Sequence, residues 1–307
     1  MHAIGHVLKQ IANDGKVHMN QLPPGFAARI QSICPDLMVQ TATLNQDGLV
    51  NDVVIVNGDT IFRFAKNDAG VRAMATELRI LDLLRPHLHL AIPAPFHQGE
   101  GEMAYPLLPG VPLTHIILAG LDEANQQAVA DQLAEFLYTL HTLPLPTAPP
   151  LPVTLAPSRE DRMAMRRRVE EKIYPLLLPH QRQWAQALFD RTLNDPQAFA
   201  YAAALVHGDL GPHHILFDPV GQRISGVLDF GVGGVGDSAI DIALCLINYG
   251  ESFVRRMQAH YPTLAQWLPH ARFYASLLEL EWVLLGLETG ETFWFTAHLG
   301  NARDIMI

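Results

Sequence analysis

The stretch LVHGDLGPHHILFDPVGQRISGVLDFG, residues 205–231, decides how this chain is read. Two short β-rich runs are separated by loops of Asp, His and Gly, with a turn at Val220-Gly221-Gln222. Three carboxylates and three histidines crowd into 23 residues: His207, Asp209, His213, His214, Asp218 and Asp229. Loops held by a rigid scaffold are where chemistry is built. Asp209 follows an apolar strand end and precedes Gly211-Pro212, which exposes a carboxylate able to orient a hydroxyl or accept its proton. Asp229 ends the second strand, and a carboxylate there suits a hard cation such as Mg2+. For His207 the expectation is packing and hydrogen bonding under the loop, and for His213 a role other than ligand.

Upstream, NDVVIVNGDTIFRF at 51–64 reads as two strands joined at Asn57-Gly58-Asp59, a tight hairpin signal. Val71, Met74, Leu78, Leu81 and Leu84 recur at three or four and Pro86 follows, which predicts an amphipathic helix over 68–84. A short strand around Met103-Ala104-Tyr105 ends in prolines, and Asp122 opens a helix reaching about His141. The prolines of 144–157 read as an extended connector. Helical patterning resumes over 158–200, where Arg162 to Arg168 reads as a solvated basic face. Strands and one helix thus dominate the first third, and helices dominate the rest.

The chain has 307 residues, 49% apolar and 17% charged, which excludes a disordered polyelectrolyte and supports one large or two modest domains. A net charge of -10 opposes nucleic acid as a partner. Cys34 and Cys245 lack any CxxC spacing, so a disulfide framework and a thiolate zinc site are excluded and a reducing, cytoplasmic setting is expected. No leader pattern and no uninterrupted membrane-length apolar run is present, so no membrane partner is expected.

Together HGDLGPHHIL at 207–216 and LDFGVGGVGDSAIDIA at 228–243 resemble the aminoglycoside phosphotransferase family, the protein-kinase-like antibiotic and metabolite kinases. The resemblance implies an α+β, two-lobed protein-kinase-like fold. Residues 1–105 would form a small antiparallel-sheet lobe that binds nucleotide, and 106–307 a larger, mainly helical lobe for catalysis and substrate. It implies Asp209 as the catalytic aspartate, Asp229 and His214 as Mg2+ ligands, and Asp237 and Asp241 as a structural pair on the helix that follows. Most members carry Asn where this chain has His214. An imidazole nitrogen can stand for that amide oxygen. The loop around Asn51 would cover the nucleotide, Arg63 would hold phosphate with Glu77 steadying it, and Tyr105 to Leu108 would be the hinge along the purine. The family's lysine position holds Arg63, with Lys66 three residues on, so either cation is a candidate for the phosphates. ATP or GTP would be the donor and a small hydroxylated molecule the acceptor, with an aminoglycoside- or macrolide-type antibiotic expected first. A metabolic alcohol as acceptor and a catalytically weak nucleotide-binding pseudokinase are the alternatives.

Gly231, Gly233 and Gly236 spell GxGxxG, a dinucleotide fingerprint when taken alone. The reading fails on the next segment, 241–251, which continues as helix to Phe253 and Met257 instead of supplying a second parallel strand. A metal-dependent hydrolase built on His207, Asp209, His213 and His214 is the other competing reading. No GxxxxGK[ST] occurs, which excludes a Walker cradle. From residue 111 onward there are 13 Lys and Arg against 21 Asp and Glu. Such an acidic excess would steer a polycation, while Phe273, Tyr274, Trp282, Phe293, Trp294 and Phe295 leave room for an apolar acceptor. Residues 1 to about 25, with Met19 as an alternative start, are expected to contribute little to the site.

Overall fold

Asn57 and Gly58 adopt φ of 53° and 76°, the left-handed pair that a two-residue hairpin turn demands and that Asn and Gly tolerate best. The turn sits in a computed structural model that describes residues 22–290 apart from 47, 49, 148, 149 and 156. The readings placed on residues 1–21, Met19 among them, and on Phe293, Trp294 and Phe295 lie outside the described residues.

The described residues open with helix α1 (Pro24–Ile33), followed by β1 (Ala42–Asn45), β2 (Asn51–Val56) and β3 (Thr60–Ala65). Helix α2 (Asp68–Leu84) follows, then β4 (His97–Gly99) and β5 (Glu102–Pro106). The five strands form one antiparallel sheet in the order β1-β2-β3-β5-β4. Helix α2 has the limits that the apolar spacing predicts, and Asn67 caps it by accepting from Gly70 N at 3.0 Å. One face of the sheet packs Val54, Phe62 and Phe64 against Ile30 of α1. The other face sends Val53, Ile61 and Tyr105 down onto Leu216 and Leu228 of the following lobe.

The larger lobe begins with β6 (Val111–Pro112), α3 (His115–Gly120) and α4 (Glu123–Thr142), whose cap is Asp122 accepting from Asn125 N at 2.8 Å. The proline connector contains a strand, β7 (Val153–Leu155), and helices α5 (Arg159–Lys172) and α6 (Pro179–Leu193) follow. Where two strands are expected the chain forms four: β8 (Ala203–Val206), β9 (Ile215–Asp218), β10 (Arg223–Val227) and β11 (Gly234–Asp237). They build two three-stranded sheets, β10-β9-β6 and β7-β11-β8. The pairings of β7 and β11 join segments about eighty residues apart, which no local pattern announces.

Helices α7 (Ala239–Tyr249), α8 (Glu251–Arg256) and α9 (Leu264–Thr289) complete the lobe. The predicted continuous helix through 253 and 257 is broken at Gly250, whose φ of 81° is left-handed. The basic face of α5 is only partly solvated. Arg162 is 7% exposed and turned inward, while Arg166 pairs with Glu170 and Asp190 and Arg168 with Glu288. The main core joins Ile80, Leu81 and Leu84 of α2 to Phe136 of α4, Phe230 and α7. Burying that face of α2 ties the two lobes together, each large side chain contributing about 1.5–3 kcal/mol. No described helix is long and apolar enough to cross a membrane.

Candidate active site

The loop between β8 and β9 carries Asp209, and its shape follows from three side chains. Asp241, fully buried on the first turn of α7, accepts from His207 N at 2.8 Å and Gly208 N at 2.7 Å. Gly208 has φ of 78°, a conformation that L side chains rarely adopt. His207 donates from Nε2 to Leu228 O at 3.0 Å and accepts from Asp209 N on Nδ1 at 3.2 Å. These two bonds select the neutral tautomer. Burial agrees with them, holding the His207 imidazole down at about 4. His207 is therefore a loop brace, as its sequence context suggests.

His214 turns the loop back on itself. Its Nδ1 donates to the Asp209 carbonyl oxygen at 2.6 Å, which turns Nε2 toward Asp229. The same ring lies 3.6 Å from Asp209 Oδ2 on the Nδ1 side and 3.8 Å from Asp229 Oδ2 on the Nε2 side. Burial raises the Asp209 carboxyl to about 6, with Asp229 adding to the rise and His214 opposing it.

Asp229, after β10, has φ of 62°. A left-handed non-glycine residue costs backbone energy and is found where function requires a side chain aimed against local preference. Gly231 keeps that space open, because a Cβ there would lie 3.2 Å from Asp229 Oδ1. Partial burial pushes the Asp229 carboxyl up, but Arg63, His214 and His207 outweigh it and bring the group to about 2. It is ionised across the working pH range.

Arg63 on β3 is 2% exposed and donates from Nη1 to Glu77 Oε1 of α2 at 2.9 Å. Its Nη2 lies 3.8 Å from Asp229 Oδ1. Asn51, with its amide oxygen turned toward the guanidinium, accepts from Arg63 Nη2 at 2.9 Å and donates to Val50 O at 3.2 Å. Burial of Arg63 disfavours its charge, yet Glu77 and Asp229 overcome that and keep the guanidinium protonated. Burial pushes Glu77 up against the pull of Arg63. Lys66 points elsewhere. Its Nζ bonds Gln46 O and Gly48 O and lies 3.4 Å from Asp52 Oδ1, so it fastens the turn between β1 and β2.

Tyr105 is fully buried beneath the cleft, and burial pushes its phenol up to about 12. Leu108 packs in the same inter-lobe cluster as Tyr105, Leu216 and Leu228. Asp237 differs from expectation: it closes β11 rather than standing on the helix, and its Oδ1 accepts from Ala239 N at 2.9 Å. The glycines of the GxGxxG run likewise fall on a turn and on β11, antiparallel to β8. Among the described residues this run opens no βαβ unit.

Sequence reading missed the support beneath Asp241. His141, at the end of α4, contacts Asp241 Oδ2 through Nε2 at 3.0 Å and Tyr261 Oη through Nδ1 at 2.8 Å. Its side chain is 2% exposed. A histidine closing an amphipathic helix gives no local sign of a partner 100 positions away.

Among the described residues no three His, Cys, Asp or Glu side chains converge as ligands of a metal ion. Mg2+ in phosphate chemistry is commonly held by one or two protein groups, with phosphate oxygens and water completing the shell. Asp229, ionised, and His214, whose Nε2 lies 3.8 Å from Asp229 Oδ2, are a donor set of that kind.

A family model described as the phosphotransferase enzyme family matches residues 41–272. Viomycin phosphotransferase of Streptomyces vinaceus is 29% identical over 217 residues, 67% of this chain and 73% of that protein. The GDP complex of wild-type aminoglycoside 2'-phosphotransferase-IIIa superposes with a TM-score of 0.80 at 24% identity, over 91% of this chain and 96% of that one. Macrolide 2'-phosphotransferase type I gives 0.69 at 20% identity, over 91% and 97%. These two likenesses establish the two-lobed kinase-like fold.

Proposed function

The chain belongs to the phosphotransferase enzyme family, and from that premise we propose that it moves the terminal phosphate of ATP or GTP onto a hydroxyl of a small antibiotic-like molecule. One observation carries the reading. Glu77, Arg63, Asp229, His214 and Asp209 form a continuous chain of charged and polar contacts, each within 4 Å of the next. Phosphoryl transfer asks for positioning and charge neutralisation, and a cation, an ionised carboxylate and a second carboxyl in succession support that reading.

In the proposed division of labour, 1–105 binds nucleotide and 106–307 supplies chemistry and acceptor. Arg63, held by Glu77 and Asn51, directs guanidinium donors at phosphate oxygens, for which its planar fork is suited. Lys66 serves by keeping the β1–β2 turn over the nucleotide. Tyr105 and Leu108 shape the floor and hinge of the purine site. Asp229 and His214 would hold Mg2+, which when bound neutralises charge on the phosphates. Asp209 orients the acceptor hydroxyl and takes its proton as the bond to phosphorus forms. The raised Asp209 carboxyl is matched to that task near neutral pH.

The test is transfer of labelled terminal phosphate from Mg-ATP and Mg-GTP to a panel containing viomycin, kanamycin, a macrolide and simple metabolic alcohols. Stoichiometric phosphorylation of an antibiotic hydroxyl is expected. Transfer to the metabolic alcohols alone would replace the acceptor class, and nucleotide binding without transfer to any compound would favour the pseudokinase.

A further inference from the structure

A cavity of about 450 Å3 opens beside the catalytic loop, with Gly208, the neighbour of Asp209, in its wall. Ile240 and Leu244 of α7 and Leu277 and Leu278 of α9 contribute apolar side chains to its wall, and the ring of Tyr274 adds an aromatic face. The charged groups among the described lining residues are Asp161, Arg162 and Glu281. Their sum is a single negative charge.

Those charges are largely committed. Asp161 Oδ2 accepts from Ser158 N at 2.8 Å and Ser158 Oγ at 2.7 Å in the cap of α5. Glu281 Oε1 accepts from Arg162 Nη1 at 3.1 Å. The Arg162 guanidinium carbon also lies 5.1 Å from the Tyr274 ring centre and 5.9 Å from that of Phe273, an arrangement that fixes the cation over aromatic faces. With its side chain 8% exposed, Arg162 stands at the wall as a fixed donor, and a guanidinium has more N–H groups than Glu281 uses. A ligand carrying several ammonium groups would bring them against an apolar surface that supplies too few carboxylates, and an unpaired buried charge is strongly disfavoured.

We infer that this cavity takes an acceptor with an extended apolar face and no more than one ammonium group, and that Arg162 determines specificity by donating to an uncharged or anionic oxygen of that acceptor. The inference rests on the phosphotransfer reading and deepens it. The acidic excess of the larger lobe therefore does not translate into a polycation site at the described wall.

The experiment compares a macrolide, which has a large apolar face and a single amine, with the polyamine kanamycin, using the full chain and Mg-nucleotide. Thermal shifts with nucleotide and with each probe are recorded alongside phosphate transfer. The macrolide is expected to show kcat/KM at least about tenfold above kanamycin, and Arg162→Gln to raise the macrolide KM about tenfold with kcat within about threefold. Because Arg162 also joins α5 to α9, Glu281→Gln serves as a second variant at a half-exposed position. Freeing the guanidinium should lower the macrolide KM by about threefold. Preference for kanamycin, with its KM rising about tenfold in Glu281→Gln, would overturn the inference while leaving phosphotransfer intact. Nucleotide binding with neither probe bound would overturn it as well. Failure to bind Mg-nucleotide would instead remove the proposed function on which it stands.

Discussion

The Nδ1 of His214 lies 2.6 Å from the backbone carbonyl oxygen of Asp209, five residues earlier. One hydrogen bond thereby closes the catalytic loop and turns the other imidazole nitrogen toward Asp229. A metal-ligating histidine is commonly oriented in this way by the bond its second nitrogen makes. His214→Ala is expected to lower turnover about 10- to 100-fold and to shift the Mg2+ dependence to higher concentration. His214→Asn, which retains an amide to donate and an oxygen to coordinate, should keep much of the activity. Mg2+ titrations of turnover in both variants check this, and equal losses in the two would argue against coordination.

Loss of the two aspartates should be separable. Asp209→Asn keeps volume and most hydrogen bonding but removes the proton acceptor, so turnover should fall about 10² to 10⁴-fold while nucleotide still binds. Asp229→Asn should weaken Mg-nucleotide binding and turnover together, with partial recovery at high Mg2+. Single-turnover kinetics and nucleotide titrations distinguish the two patterns.

The pH dependence follows from the raised Asp209 carboxyl. In its proposed role of proton acceptor it must be ionised, so kcat/KM is expected to rise with pH through about 6. Stability runs the other way at this residue. Its folded value lies above the unfolded one of about 3.9, so its contribution is fully present below pH about 4 and is lost as pH rises through about 6. An asparagine does not titrate, so Asp209→Asn should gain stability relative to the parent at pH 7 compared with pH 4, by about 1–3 kcal/mol. Denaturant titrations of both proteins at the two pH values measure the difference.

Arg63 and Glu77 are a buried ion pair linking β3 to α2, and removing one partner leaves the other charge uncompensated. Arg63→Ala or Glu77→Ala should each destabilise by about 3–5 kcal/mol. The double variant should lose markedly less than the sum, giving a large coupling in a double-mutant cycle. Arg63→Lys preserves charge but not the fork that reaches Glu77 and Asn51. It should fold, with nucleotide affinity changed more than stability.

The support under the loop predicts a remote effect. Tyr261→Phe breaks the bond that orients His141, and His141→Ala removes one partner of Asp241. Both should lower kcat with little change in nucleotide affinity, His141→Ala the more strongly, and amide exchange at His207 and Gly208 should rise in parallel. Unchanged exchange at those two amides would sever the link drawn from α4 to the catalytic loop.

Local signals were sufficient wherever one segment carries its own constraint. Asn57-Gly58 specifies a left-handed turn, the apolar spacing from Val71 to Leu84 specifies one buried helix face, and Asp122 specifies a helix start, because each depends on neighbours within four residues. The β8–β9 loop stood out as the candidate site from its crowded Asp, His and Gly and from its resemblance to a known family. The same chemistry could not reveal β7 and β11, whose pairing depends on distant backbone. Nor could it show that Arg162 faces inward, since a basic run on a helix looks solvated until α9 packs beside it.

By itself the sequence pointed to the two-lobed kinase-like architecture and to the candidate groups for the chemistry, through motifs whose residue types and short-range spacing carry the family resemblance. Only the tertiary structure decided which cation stands in the cleft. Arg63 and Lys66 are three positions apart on neighbouring chain, but strand pairing sends Arg63 inward to Glu77 and Asp229, while Lys66 finds the carbonyls of the β1–β2 turn. It alone also joined His141 to Asp241 across 100 residues. Long-range contacts of this kind arise when helices and sheets bury their apolar faces together, and that packing is a property of the whole chain rather than of any segment.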